Sequence, residues 1–173
     1  MQFDLTQDFP AGLDRLWATL GRVEYVELKY RALGSTSVRI LKFSADARSI
    51  EVELDRQARV ALDELPLWAR IFCARRQTIR HHTRWQRVGP DRIDVELGIL
   101  ALGGLLSARG SGSVVEPSPG RSRMSLHFEV TSTAAALSSR AARLFAQQIR
   151  RALRADHAFT LEHLRAGDRA YDT

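Results

Sequence analysis

Between residues 79 and 85, Ile79, His81, Thr83 and Trp85 recur at every second position, so two polar side chains stand in an otherwise apolar row. A polar group buried without a partner costs roughly 1–3 kcal/mol. His81 and Thr83 therefore imply partners: one another, a buried water, or a bound molecule. The ordinary pKa of an imidazole, about 6.5, also suits His81 to proton transfer near neutrality. His82 points to the other face of a strand, so the adjacent pair makes neither a dyad nor a chelate. His127 stands opposite the apolar residues of its own segment and is expected in solvent. Gln7 breaks an apolar alternation near the N-terminus, and Gln148 falls four residues after Leu144, on the same side of a helix. The sequence has no HExxH motif, no Cys/His set at metal spacing and no glycine-rich phosphate loop. Neither a metal nor an organic cofactor is expected. The lone Cys73 is expected to be a buried, inert thiol.

The elements that must position these groups follow from changes of period. Phe3, Leu5 and Phe9 alternate with polar residues and predict a strand over residues 2–9, broken by Pro10 and Gly12. Leu13, Leu16, Trp17 and Leu20 recur at helical spacing up to Gly21. A second short helix carries Val23, Val26, Leu28 and Tyr30 and stops near Gly34. The period then becomes two. Strands are expected at 38–43 and through Ile50, Val52 and Leu54, with a turn at 44–46. Another runs over 76–88, a hairpin turn follows at 89–91, and Ile93, Val95, Leu97 and Ile99 share a face of the next. Leu106, Ala108, Gly110, Gly112 and Val114 mark a further strand ending at 117–120, and Met124, Leu126, Phe128 and Val130 the last. From about 134 to 164 apolar residues return every three or four positions, predicting a terminal helix roughly 45 Å long. Such a helix is too long to cross over between parallel strands, and the hairpin turns favour antiparallel pairing.

At 173 residues the chain can bury a core without disulfides and is read as one domain over residues 1–173. The N-terminal residues meet Asp4 where a secretory leader would be apolar, and the single cysteine fits a reducing compartment, so a cytoplasmic protein is expected. The longest uncharged run, 97–108, is shorter than the about 20 residues that span a bilayer. A net charge of +6 raises the question of a polyanionic partner. Of the 26 basic residues only Lys29 and Lys42 are lysine. The arginines are scattered, without stacking aromatics or a recognised motif, and are read as a solvated surface. A nucleic-acid partner is not expected.

The order strand, two short helices, six strands, one long helix resembles the START-like or SRPBCC superfamily, the helix-grip fold. The resemblance is carried by Phe3, Leu5 and Phe9 followed by the Leu13/Leu16/Trp17 helix. The closing strands, residues 110–117 (GSGSVVEP) and 124–130 (MSLHFEV), complete it, so that it covers about residues 2–166. It implies an α+β fold in which a curved, seven-stranded antiparallel sheet surrounds the C-terminal helix and leaves a cavity between them. Proteins of that superfamily bind sterols, phospholipids, polyketides or hormones, and some are cyclases or hydrolases. Their paired acid–base groups have no unambiguous counterpart here.

If such a cavity exists, its lining includes Trp85, Val95, Leu97, Gly110, Leu126 and Phe128 from the sheet, faced by Leu144, Phe145 and Ile149 from the helix. Ile50, Val52, Leu54, Ile79, Ile93 and Met124 occupy similar inward positions, and Gly110 and Gly112 are expected to leave space. His81, Thr83 and Gln148 are then the candidates to hydrogen-bond the polar group of an apolar ligand. Two connections are apolar where loops are normally polar: residues 65–72 (LPLWARIF) and 99–105 (ILALGGL). The resemblance puts both at the cavity mouth, with Leu67, Trp68, Phe72, Leu102 and Leu105 as its residues. They are a lid, a homodimer contact, or, with Arg70, Arg75 and Arg76 nearby, a contact with an anionic membrane. The leading expectation is a protein that binds or transfers a hydrophobic small molecule without catalysis. The alternatives are a polyketide cyclase/aromatase-like enzyme with His81 as acid–base group and Thr83 orienting substrate, and an interaction module acting through its basic surface.

Overall fold

The computed structural model describes residues 1–59, 67–70, 75–133 and 138–169. Strand β1 (Gln2–Phe9) leads into helices α1 (Leu13–Leu20) and α2 (Val23–Ala32). Strands β2 (Ser35–Ala45) and β3 (Ser49–Arg59) follow, then a single helical turn α3 (Leu67–Arg70). Strands β4 (Arg76–Arg87), β5 (Arg92–Ala101), β6 (Leu106–Ser118) and β7 (Arg121–Ser132) precede the long helix α4 (Ser138–Arg169). All seven strands form one antiparallel sheet in the order β1-β7-β6-β5-β4-β3-β2. The fold is α+β, a curved open sheet closed over by a terminal helix, as the sequence periods imply. Among the described residues no helix is long and apolar enough to cross a membrane.

Two details depart from the sequence reading. Both apolar connections contain helical turns, α3 in the first and a 3-10 turn, Leu102–Gly104, in the second. Leu102, Gly103 and Gly104 take φ of 54°, 63° and 93°, a left-handed run that reverses the chain between β5 and β6. Two glycines accept this freely, whereas Leu102 does so at a steric cost.

The second departure concerns Gly110 and Gly112, which leave no empty space. A Cβ on Gly110 would stand 2.6 Å from the Phe128 ring, and one on Gly112 would stand 1.9 Å from the Ser125 carbonyl oxygen. Both glycines are filled against, one by an aromatic ring and the other by the backbone of β7, where β6 and β7 bend together.

Helix α1 has no side-chain cap of its own. Glu116 of β6 supplies one: Oε2 accepts from the Leu13 N–H and Oε1 from the Gly120 N–H, each at 2.9 Å. These backbone donors hold the Glu116 pKa below the usual carboxylate value. The cap ties α1 to the end of β6, and Leu13, Leu16 and Leu20 are buried beneath it.

The core joins the inward rows of the sheet to all three longer helices. In α4 the small side chains Ala142 and Ala146 are buried, which lets that part of the helix lie close to the sheet. At the same end Phe3 and Phe128 stack, with ring centroids 5.0 Å apart, and leave no void. Space opens only further along, where α2 and the second half of α4 face β3, β4 and β5.

Candidate functional site

That space is a cavity of about 170 Å³, partly open to solvent. From the sheet, His81, Thr83, Trp85, Leu97 and Leu126 line it, joined by Val52, Ile79 and Met124. Phe145, Gln148 and Ile149 line it from α4. Gln148 and Ala152 are the exposed members of the lining and mark the opening.

Several inward residues do not reach the cavity. Val95 is only 1% exposed, paired between Trp85 and Gly112, and belongs to the solid core. Phe128 is fully buried between Phe3 and Gly110, so neither Phe128 nor Gly110 borders this cavity. Ile50, Leu54 and Ile93 are core in the same sense. Leu144 is half-buried but turned aside, because α4 presents Phe145, Gln148, Ile149 and Ala152 to the cavity. Of the residues expected at the mouth, Leu67, Leu102 and Leu105 do not line the cavity, and Leu67 is 77% exposed. Phe72 and Cys73, and the side chain of Trp68, lie outside the described residues.

The walls are mainly apolar, with Thr83, Gln7, Gln148 and His157 as scattered polar members, and the charged groups gather at one end, where α2, β3 and α4 meet. There Lys29 Nζ lies 3.2 Å from Asp156 Oδ2, with side chains 14% and 30% exposed. The Tyr25 hydroxyl and Thr160 Oγ1 share a buried hydrogen bond of 2.7 Å, and Thr160 also donates to the Asp156 carbonyl. Lys29 stands 5.6 Å and 5.1 Å from the ring centroids of Tyr25 and Tyr30. Burial alone would lower the Lys29 pKa, but Asp156 and the two phenols together raise it above its ordinary value, so it carries its charge. Burial also pushes both tyrosines up, keeping them protonated donors.

His81 takes part in this cluster rather than standing alone. Arg56 Nε donates to His81 Nε2 at 2.8 Å, and the imidazole packs 5.2 Å from the Tyr30 ring. A guanidinium can only donate, so Nε2 presents its lone pair and the ring proton sits on Nδ1. Burial, then the positive charges of Arg56 and Lys29, hold the His81 pKa well below the usual value. His81 is neutral at pH 7, with its basic nitrogen already engaged. Gln7, the other break in an apolar row, donates from Nε2 to the Leu153 carbonyl at 2.9 Å and joins the lining. His82 faces the opposite side of the sheet, 3.2 Å from Glu51, and His127 is bonded to Asp4 there.

Sequence reasoning missed Tyr25, Lys29, Tyr30, Arg56, Asp156 and Thr160. The signal was present in two places. Arg56 continues the inward row Ile50, Val52, Leu54, so a cation occupies a buried-face position. Tyr25 and Lys29, like Asp156 and Thr160, are four residues apart and share one helix face each. Among the described residues, no group of three or more His, Cys, Asp or Glu is placed to hold a metal ion.

A concave antiparallel sheet, a terminal helix across it and a cavity between them define the helix-grip fold. Within that class, residues 4–164 match the family described as protein of unknown function DUF2505, and the chain belongs to it. No curated protein sequence matches the chain. Among solved structures it is similar to the Zhui aromatase/cyclase from Streptomyces sp. R1128, with 16% identity, 95% of this chain and 93% of that one covered, and a TM-score of 0.60. It is similar to Ara h 8.0201 at 13% identity, covering 94% and 98%, with a TM-score of 0.57. A conserved protein from Geobacillus kaustophilus is 9% identical, covers 96% of each chain and gives a TM-score of 0.55. At such identities the likeness is one of fold.

Proposed function

We propose that this protein binds or transfers a small, largely apolar molecule, held between α2, β3–β5 and α4 with its polar group at the Lys29/Arg56/His81 end. One observation carries the reading: a mainly apolar cavity, open beside Gln148 and Ala152, whose charged groups and the donors around them gather at a single end. Sites built this way bury most of a ligand and orient it by a few polar contacts. Native mass spectrometry of the freshly purified protein tests it. The expected result is a retained small molecule released on denaturation, together with uptake of an apolar probe such as indole. A cavity-filling variant, Val52→Phe, should lose both while remaining folded. Absence of any retained molecule, with no indole uptake by the unaltered protein, would end the carrier reading.

The rival reading is cyclase/aromatase-like chemistry with His81 as general base and Thr83 orienting the substrate. The position of both side chains in the cavity supports it. The Arg56–His81 hydrogen bond weighs against it, since a general base needs its lone pair free and a pKa near the working pH. Turnover of a poly-β-keto substrate, lost in His81→Ala, would reverse this ranking.

A further inference from the structure

Arg56 is the one cation facing the cavity without a carboxylate of its own among the described residues. It is half-buried, yet its guanidinium makes only the Nε bond to His81, a long 3.5 Å contact from Nη1 to Ser35 Oγ, and a stacking contact with Tyr30. On the outer surface of the sheet the pattern is reversed. Arg80, Arg92 and Arg123, all exposed, each hold an aspartate within 2.8 Å. Solvent compensates an exposed cation, so the buried one has the greater need of a counter-charge. Asp156 acts on Arg56 only through space, because its carboxylate is bonded to Lys29.

The groups beside Arg56 are donors too. The Tyr30 hydroxyl makes no hydrogen bond among the described residues. The proton on His81 Nδ1, placed there by the bond at Nε2, has no protein acceptor among them either. The polar end therefore holds two cations against one anion, and beyond the long Ser35 contact its three donor groups meet no further protein acceptor among the described residues.

We infer that the molecule bound here is a monoanion, an aromatic or short aliphatic carboxylate, whose carboxylate pairs with Arg56 and accepts from Tyr30 and His81. A carboxylate supplies acceptors only and brings the single negative charge that balances Lys29, Arg56 and Asp156. The cavity of about 170 Å³ limits the enclosed apolar part to about one ring or a short chain. This inference rests on the carrier reading above and adds the chemical class of its ligand.

Calorimetric titration at low salt with three probes separates the two: phenylacetate, its neutral isostere phenylacetamide, and indole. Phenylacetate is expected to bind roughly 10-fold or more tighter than phenylacetamide, the scale of one charge-assisted hydrogen bond. Arg56→Gln should abolish that preference while leaving phenylacetamide within about three-fold of its original affinity, and Arg56→Lys, which keeps the charge, should retain part of it. Equal affinities for the acid and the amide in the unaltered protein, or a preference surviving in Arg56→Gln, would overturn the anion assignment while indole binding still upheld the carrier. Failure of all three probes would overturn both.

Discussion

Replacing Asp156 by Asn should destabilise the protein more than any other single loss of one charge in the described structure. The substitution keeps the shape of the side chain and leaves Lys29, 14% exposed, and Arg56, half-buried beside it, without a compensating charge. Breaking a fully buried pair costs about 3–5 kcal/mol, because the orphaned ion still pays for desolvation. Asp156 retains 30% exposure, so water recovers part of that penalty, and about 2–3 kcal/mol is the expected loss. For a chain of this size that lowers the melting temperature by roughly 4–12 °C. Thermal and urea unfolding, followed by circular dichroism, measures it. The sign with pH is also defined. The Lys29 pKa is raised on folding, so its contribution is whole below the unfolded value of about 10.4 and is lost only as pH rises through the folded one. In Asp156→Asn burial instead lowers the Lys29 pKa, so the deficit should be no larger at pH 9 than at pH 7. The double variant Lys29→Met/Asp156→Leu, which removes both charges and keeps the volume apolar, should recover to within about 1 kcal/mol of the original. An Asp156→Asn protein within 0.5 kcal/mol of the original, or a double variant no better than the single one, would refute the argument that this pair compensates buried charge.

Two further results follow from the same geometry. Because the folded-state pKa of His81 is depressed, the unfolded chain takes up the proton first as pH falls, so stability is full above about pH 6.5 and declines below it. The urea midpoint should fall between pH 7 and pH 5 more steeply in the original protein than in His81→Gln, by up to about 1.4 kcal/mol per pH unit, and identical slopes would remove His81 from the account. At the sheet bend, Gly110→Ala should cost about 1–3 kcal/mol by pressing on the Phe128 ring. Gly112→Ala should cost more, because the obstructing atom is the Ser125 carbonyl oxygen of the β7 backbone, and an unchanged melting temperature in Gly112→Ala would contradict the close approach of β6 and β7.

The strands were legible because a half-buried antiparallel strand must alternate, and rows such as Phe3–Phe9 and Met124–Val130 kept their period, although β2 is interrupted by register shifts at Ser35/Ser37 and Ile40/Lys42. The terminal helix was legible from its stripe for the same reason. What the periods do not encode is which inward residues meet a neighbour and which meet a void. Val95 and Leu97 look alike in sequence, two positions apart on one face, yet the first is sealed in the core and the second lines the cavity. Gly110 was read as room and is the seat of an aromatic ring. The polar end was hidden for a further reason. Lys29, Arg56 and Asp156 come from three elements far apart in the chain, and each alone resembles an ordinary surface charge. Only the pairing of β3 with β4, and the packing of α2 against α4, brings Arg56 to His81 and Asp156 to Lys29.

The size of the cavity narrows what the fold alone leaves broad. An engineered apolar cavity of about 150 Å³ accepts benzene, whereas pockets for drug-sized molecules run to about 300–1,000 Å³. At about 170 Å³ this one matches a single ring, so a sterol or a folded poly-β-keto chain exceeds its enclosed volume. Growth toward the polar end is opposed by the Lys29–Asp156 and Tyr25–Thr160 bonds, which would have to break together. The opposite end is closed by the Phe3–Phe128 stack and the buried Ala142 and Ala146. The wall formed by Trp85, Leu97, Ile99 and Phe145 is apolar and only half-buried, packed against the core. On the proposed carrier reading, a larger ligand would extend outward, past Gln148 and Ala152, with its polar group at Arg56. If the proposed carrier reading holds, the donor cluster selects the polar group of the ligand and the opening beside α4 limits its length.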